Sequence, residues 1–207
     1  NKKAWIEMIH RYIATILGFI ILSLAFLAYR NKDEIKVKPS LVYGLLGLVI
    51  AQGMLGMWTV TELLMPIIVS LHLLGGMTTL GLLTYIAHRH WGTVSDTLIS
   101  LNPTSKKLIR FSLVVLLFQI FLGGWTSTNY ASLACADFPT CQGTYFPEMD
   151  FKNGFNMAQE VGPNYLYGLL DNPARVAIHY SHRVTAILVT IVFIILMSKL
   201  WFSAEES

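Results

Sequence analysis

His179-Tyr180-Ser181-His182-Arg183 opens an apolar run at 174–200, and Glu7-Met8-Ile9-His10-Arg11 opens a similar run at 6–29. Although far apart in the chain, the two pentapeptides align without a gap, with His-Arg in register. Ionisable groups are costly in lipid and usually face the interior of a helix bundle, where they carry chemistry or hold a cofactor. A histidine repeated at the same place in two membrane helices therefore indicates two versions of one binding site.

The composition is typical of a polytopic membrane protein. Of 207 residues, 54% are hydrophobic and only 13% are charged, and the mean hydropathy is +0.55. A helix needs roughly 20 residues to cross a hydrocarbon core about 30 Å thick. Five apolar runs are long enough, at 6–29, 41–61, 66–87, 109–127 and 174–200. Because backbone groups cannot stay unpaired in lipid, we expect an all-α bundle of five transmembrane helices.

The basic residues predict how the chain crosses the membrane. The loops after the first and third helices are rich in lysine and arginine, which places both loops in the cytoplasm. Their cations are Arg30, Lys32, Lys36, Lys38, Arg89, Lys106, Lys107 and Arg110. The long loop 128–173 then lies outside. The net charge of +3 follows from this bias and indicates no nucleic-acid partner.

The long outer loop contains Cys135 and Cys141, the two cysteines of the chain. Their spacing is not that of a zinc knuckle. Outside the membrane they can oxidise to a disulfide, with free thiols or a redox-active pair as alternatives. Long loops of this kind are often lids, and a cap at the lipid surface is the alternative.

Three histidines lie inside apolar runs at similar depths. Counted from the predicted helix starts at 1.5 Å per residue, His10, His72 and His182 lie about 8, 9 and 12 Å deep. Imidazoles on facing helices are the usual iron ligands for a haem in a bundle. Arg11 and Arg183 follow two of these histidines and could bind haem propionates through paired hydrogen bonds. The pattern predicts haem sites, with a simple interhelical hydrogen bond as the alternative for any single histidine.

Glu7 lies one turn before His10 on the same helix face. A carboxylate there could act as a base or stabilise developing positive charge. The alternative is a first-turn glutamate favoured by the helix dipole. Zinc is the competing metal, but it would want a compact tetrahedral set of ligands, and Glu7-x-x-His10 lacks the paired histidines of metalloproteases.

A second internal repeat joins residues 52–59 and 119–126, which both read Gln-x-x-Leu-Gly-x-Trp-Thr. The glycines allow helices to approach closely, and the tryptophans are typical of the interfacial belt. Helix packing alone accounts for this motif, and a direct cofactor contact is the alternative.

The sequence resembles the haem A synthase family. The resemblance rests on Glu7-x-x-His10-Arg11, Gln52-x-x-Leu55-Gly56-x-Trp58-Thr59-Val60, Pro66 with Val69-x-x-His72, Leu122-Gly123-Gly124-x-Thr126, the segment 134–141 and His182-Arg183. These motifs follow the family's order over nearly the whole chain. The family has eight membrane helices in two similar four-helix halves, each of which holds a haem between two histidines.

Mapped onto this family, 1–90 resembles three helices of the first half, 91–108 a cytoplasmic linker, and 109–207 two helices of the second half. The family's first, seventh and eighth helices have no counterpart here. Neither does the histidine that should face His182, so we expect the chain to be a fragment.

The resemblance also implies a role for each site residue. His10 and His72 would bind the substrate haem O, with Glu7 near the reacting edge, and His182 would bind a resident haem b. Haem O would become haem A by oxidation of a ring methyl to a formyl group. Since an iron with two histidines has no open position for O₂, electron removal followed by attack of water is the expected route, with Glu7 as base.

The implied location is the bacterial inner membrane, with loop 128–173 in the periplasm. The implied partners are membrane lipid, haem O synthase, terminal oxidase assembly, an electron acceptor and further copies of the chain. A di-haem b-type electron-transfer cytochrome is the main rival and would not need Glu7. A membrane transporter is a weaker rival, because it would need a polar path at the midplane, whereas the ionisable groups cluster near the outer surface. A purely structural membrane subunit is another, and the aligned histidines count against it.

Overall fold

The computed structural model describes residues 2–31, 36–91, 102–159 and 168–205. The helices are α1 (Lys2–Arg30), α2 (Pro39–Thr61), α3 (Pro66–Trp91), α4 (Pro103–Thr128), α5 (Phe151–Gly154) and α6 (Asn172–Glu205). All but α5 are long and apolar enough to cross a membrane, which confirms the five predicted transmembrane helices. Lys32, most of the predicted linker 91–108 and part of the loop 128–173 lie outside the described residues.

Some helices extend beyond the apolar runs that predict them. The run of α4 begins at 109, but the helix begins at Pro103, after a cap in which the Asn102 side chain accepts a hydrogen bond from the Ser105 N–H at 2.7 Å. Proline suits this first position because its missing N–H needs no partner there. Hydropathy marks the part of a helix that suits lipid, whereas caps mark where the helix ends.

The described chain divides into two compact units, one of 1–56 with 75–93 and the other of 57–74 with 94–207. A buried apolar cluster joins α1, α2 and α3 in the first unit. Its members are Ile21, Ala25, Ala28, Val37, Val42, Leu45 and Ile86. The small side chains of Ala25 and Ala28 suit close helix packing, as expected in a membrane bundle. The predicted division into halves at 90 and 108 stays a prediction.

In the second unit, Trp125 on α4 connects the helix to the outer loop. It is the largest fully buried side chain of the described residues, and its indole N–H donates to the Gly154 carbonyl at 2.8 Å. Gly154 lies against the start of α6, where an added Cβ would be 2.7 Å from the Ala174 carbonyl oxygen. Trp125 is 1% exposed and packs inside the protein, whereas its counterpart Trp58 is 41% exposed.

Large apolar side chains cover the outer surface of the helices. Trp5, Ile6 and Phe19 on α1 are each about two-thirds exposed, and similar residues line the other long helices. A soluble protein rarely exposes so much contiguous apolar surface. These faces suit lipid or neighbouring helices, as expected of a multi-pass membrane protein.

Candidate functional site

The second His-Arg pair lies on α6 beside α4 and the outer loop. His182 is half-buried, and the side-chain nitrogen of Gln119 on α4 lies 3.0 Å from its Nδ1 and 3.3 Å from its backbone oxygen. In a neutral imidazole, the hydrogen bond at one ring nitrogen decides whether the other nitrogen carries the proton. Gln119 was predicted only as part of a repeated motif. Its separation of 63 residues from His182 gives no local signal of the contact.

Arg183 holds the outer loop through its guanidinium group. Nη2 donates to the Cys135 carbonyl at 2.6 Å, and Nη1 donates to the carbonyls of Thr140, at 3.1 Å, and Asp137. The guanidinium carbon also lies 5.8 Å from the ring centre of Phe138. A planar group with five donors suits such a set of carbonyls. The predicted bond from Arg183 to a propionate stays a prediction.

His179 lies one turn before Arg183 and joins the same loop to α6. Its Nδ1 is 3.2 Å from the backbone nitrogen of Cys135, and its Nε2 is 3.2 Å from Nε of Arg183. Both partners are donors, so a neutral imidazole, with one acceptor nitrogen, can accept from only one at a time. Cys135 is bonded to Cys141, as predicted, with Cα atoms 4.6 Å apart. The disulfide and the histidine therefore fix one end of the loop beside α6.

Asp137 organises the chain between the two cysteines. Its carboxylate accepts hydrogen bonds from the Thr140 hydroxyl and from the backbone N–H groups of Gln142, at 2.7 Å, and Gly143, at 3.0 Å. The Thr140 hydroxyl, and then the Gly143 and Gln142 amides, lower the pKa of Asp137 from 3.8 to about 2 because they favour the ionised form. The loop is thus built around a carboxylate that stays charged at neutral pH.

The first His-Arg pair lies in the first compact unit, on α1. Oε1 of Glu7 accepts from Arg11, at 2.8 Å from Nη2 and 3.2 Å from Nε. His10 is exposed among the described residues and lies on the same helix face, three residues after Glu7. The structure therefore brings the predicted acid, ligand and arginine of this motif together on one side of α1.

His10 and His72 fall in different compact units, and their pairing on one haem stays a prediction. His72 is half-buried, and its neighbours Ser70 and Leu73 pack against Gly124 of α4. A Cβ on Gly124 would lie 3.0 Å from the Leu73 Cδ2 and 3.4 Å from the Ser70 Oγ. The glycine therefore lets the start of α3 pack closely on α4 beside His72.

Counted from the observed starts of α3 and α6, His72 and His182 lie about 9 and 15 Å along their helices. The common depth of the three histidines in the membrane stays a prediction. Within the described ranges, no group of three or more His, Cys, Asp or Glu could hold a metal ion.

Comparison with known proteins shows which proteins this chain is similar to. The family described as cytochrome oxidase assembly protein, COX15-CtaA, matches residues 1–207. A haem A synthase of Shewanella oneidensis is 42% identical over 99% of this chain and 61% of its own length. A haem A synthase of Alkalihalophilus pseudofirmus is 27% identical over 93% of this chain and 58% of its own. The chain thus spans about 60% of the length of these relatives. No solved structure matches it.

Proposed function

The chain belongs to the COX15-CtaA family of cytochrome oxidase assembly proteins, and we propose that it takes part in the haem A synthase reaction. This reaction oxidises a ring methyl of haem O to the formyl group of haem A, which terminal oxidases use. The observation that carries the proposal is 42% identity to a haem A synthase over 99% of the chain. The chain covers 61% of the length of that relative.

The substrate haem O is bound through its iron by His10 and His72. Glu7 and Arg11 lie on the same face of α1 as His10, and their ion pair is 2.8 Å long. The guanidinium orients the Glu7 carboxylate near the substrate edge while leaving its second oxygen available as a proton acceptor. Arg11 also offers donors to a haem propionate. The supporting observation is the i, i+3 and i+4 spacing of these residues on one helix.

The oxygen of the formyl group comes from water. If His10 and His72 both bind the iron, O₂ would have no open position on the substrate. Conversion of a methyl to a formyl group adds one oxygen from water and releases four electrons and four protons. The first stage gives a hydroxymethyl group, and the second gives a hydrate that loses water. Glu7 accepts protons as water attacks, and the electrons leave to an external one-electron acceptor.

A resident haem b fits the surroundings of His182. The Nδ1 of this imidazole is held by Gln119, and none of the described residues hydrogen-bonds its Nε2, the nitrogen that would bind iron. A buried oxygen of Gln119 also lacks a partner among the described residues. A haem held there supplies one-electron transfer. The second axial ligand is not assigned to a residue of this chain.

We propose the bacterial inner membrane as the location, with loop 128–173 in the periplasm. The disulfide between Cys135 and Cys141 favours an oxidising compartment for this loop. The basic ends of α1 and α3, with Arg30 and Arg89, favour the cytoplasm. Membrane lipid, haem O synthase, the terminal oxidase and further copies of the chain are the partners that this location makes accessible.

The proposal is tested in membranes that contain haem O but no other source of haem A. Wild type should yield haem A and its hydroxymethyl precursor, detected by chromatography with mass detection. Glu7→Gln should keep its haem but form product about 100-fold more slowly or worse, the usual effect of losing a general base. Glu62→Gln, in the turn after α2, is the matched control and should leave the rate unchanged.

Two results would count against this account. Product formation by Glu7→Gln at the wild-type rate would remove Glu7 from the reaction. Haem b as the sole haem in the wild type, with haem O left unchanged, would favour the di-haem electron carrier instead.

A further inference from the structure

Gln119 places a polar amide within the apolar length of α4 and directs it at a single imidazole. Its Nε2 lies 3.0 Å from Nδ1 of His182, and its buried Oε1 has no hydrogen-bond partner among the described residues. A buried amide oxygen without a hydrogen-bond partner destabilises the fold. A residue kept in this state on an otherwise apolar helix indicates a second arrangement in which the oxygen is used.

The neighbouring turn of α4 limits how the His182 ring can lie. Gly123 follows Gln119 by one turn, and a Cβ on it would be 3.4 Å from Cε1 of His182. The Nδ1–Cε1 edge of the imidazole therefore faces α4. The Gln119 amide contacts Nδ1, and Gly123, which has no side chain, lies beside Cε1. Nε2 lies beyond this edge, and no described residue hydrogen-bonds it.

The amide can hydrogen-bond to either tautomer of the neutral ring. Rotation by 180° about the terminal bond of Gln119 exchanges its oxygen and nitrogen at nearly unchanged positions. With the nitrogen towards Nδ1, the amide donates and the ring proton is on Nε2. With the oxygen towards Nδ1, the amide accepts, the ring proton is on Nδ1, and Nε2 presents its lone pair. The second arrangement satisfies Oε1 and allows Nε2 to bind a metal, and it gives up the bond from the Gln119 nitrogen to the His182 backbone oxygen.

We propose that Gln119 is the positioning residue of His182, whose amide rotates to accept the Nδ1 proton when Nε2 binds iron. This inference rests on the proposed haem b site. Gln119 does not touch the iron, and it acts through the histidine by fixing the orientation and the protonated nitrogen of the ring. Such partners of a ligating histidine typically contribute about 10- to 100-fold in metal affinity.

The first test measures haem b loss from the purified holoprotein to an excess of apomyoglobin. Gln119→Met keeps the side-chain length but removes both hydrogen-bonding atoms, and we expect about 10- to 100-fold faster loss. Ser112→Ala, two turns earlier on the same face of α4, is the matched control. Its hydroxyl bonds only the Leu108 carbonyl in the described structure, and we expect loss at the wild-type rate. Loss from Gln119→Met at the wild-type rate would overturn the inference.

The second test separates positioning from packing. An acceptor on Nδ1 raises the basicity of the ligand and so lowers the haem midpoint potential. Gln119→Glu should therefore lower the midpoint potential of haem b, and Gln119→Met should raise it. If Gln119→Met does not fold, the potential of Gln119→Glu alone tests the inference. A shift of both variants in the same direction would indicate packing alone.

A third variant distinguishes failure of this inference from failure of the haem site. His182→Ala should lose haem b altogether. If it keeps haem b at the wild-type level, the proposed site is wrong and the inference falls with it. If it loses haem b while Gln119→Met keeps both the wild-type loss rate and potential, the site stands and only the positioning role is refuted.

Discussion

Replacement of Arg183 by lysine keeps a positive charge on α6 but removes the planar group that holds the outer loop. The arginine donates to the carbonyls of Cys135, Asp137 and Thr140 from two nitrogens. Lysine presents a compact ammonium on a flexible stem and cannot reproduce this fork. We expect the loop to open locally in Arg183→Lys while the five long helices stay folded.

The size of the effect follows from the number of bonds lost. A hydrogen bond to a charged group contributes about 1.5–3 kcal/mol when buried. If the ammonium reaches one carbonyl, two of the three bonds are lost. Arg183 is half-buried, so solvent weakens each bond, and we take about 2–3 kcal/mol as the total loss. This corresponds to roughly 30- to 160-fold more frequent opening of the loop.

Hydrogen exchange of the Cys135 amide, read by mass spectrometry on loop peptides, measures this opening. This N–H points at His179 at 3.2 Å, so it exchanges only when the loop separates from α6. Arg11→Lys is the matched control because Arg11 has the same place in the other His-Arg motif. Unchanged exchange in Arg183→Lys, or an equal change in Arg11→Lys, would refute the reasoning.

Two further predictions concern the same loop. Because the pKa of Asp137 is lowered from 3.8 to about 2, its stabilising effect is complete above pH 3.8 and is lost as the pH falls towards 2. Cleavage of the loop by pepsin should therefore rise over this range in wild type, and an equal rise in Asp137→Asn would contradict this. Trp125→Phe removes the donor to the buried Gly154 carbonyl and should lower the free energy of unfolding by about 1–3 kcal/mol. Thermal unfolding in detergent checks this, with Trp58→Phe, at an exposed position, expected to change stability by less than about 0.5 kcal/mol.

The transmembrane helices could be predicted because length and hydropathy are properties of each segment by itself. Pro66 correctly marked the start of α3. The start of α4 at Pro103 was missed because the charged residues of its first turns lowered the hydropathy, although Asn102-Pro103 carried a capping signal. The His-Arg repeat and the cysteine pair were likewise local patterns, and the disulfide is present.

Contacts between distant residues could not be predicted from the sequence. The roles of Gln119 and Arg183 depend on how α4, α6 and the loop pack, and nothing near either residue in the chain indicates its partner. Trp125 shows the same limit, because its sequence motif is shared with Trp58 while its burial is produced by the loop. The repeated motif does include Gln119. A polar amide within an apolar run was the one local sign that this residue has a specific partner.

The haem content of purified histidine variants tests the central claim most directly. We predict that His10→Ala and His72→Ala each lose haem O and haem A but keep haem b, while His182→Ala loses haem b. His90→Ala, at the far end of α3, should keep the wild-type set. If all four variants keep every haem in wild-type amounts, the histidines do not hold haem and the central claim is wrong.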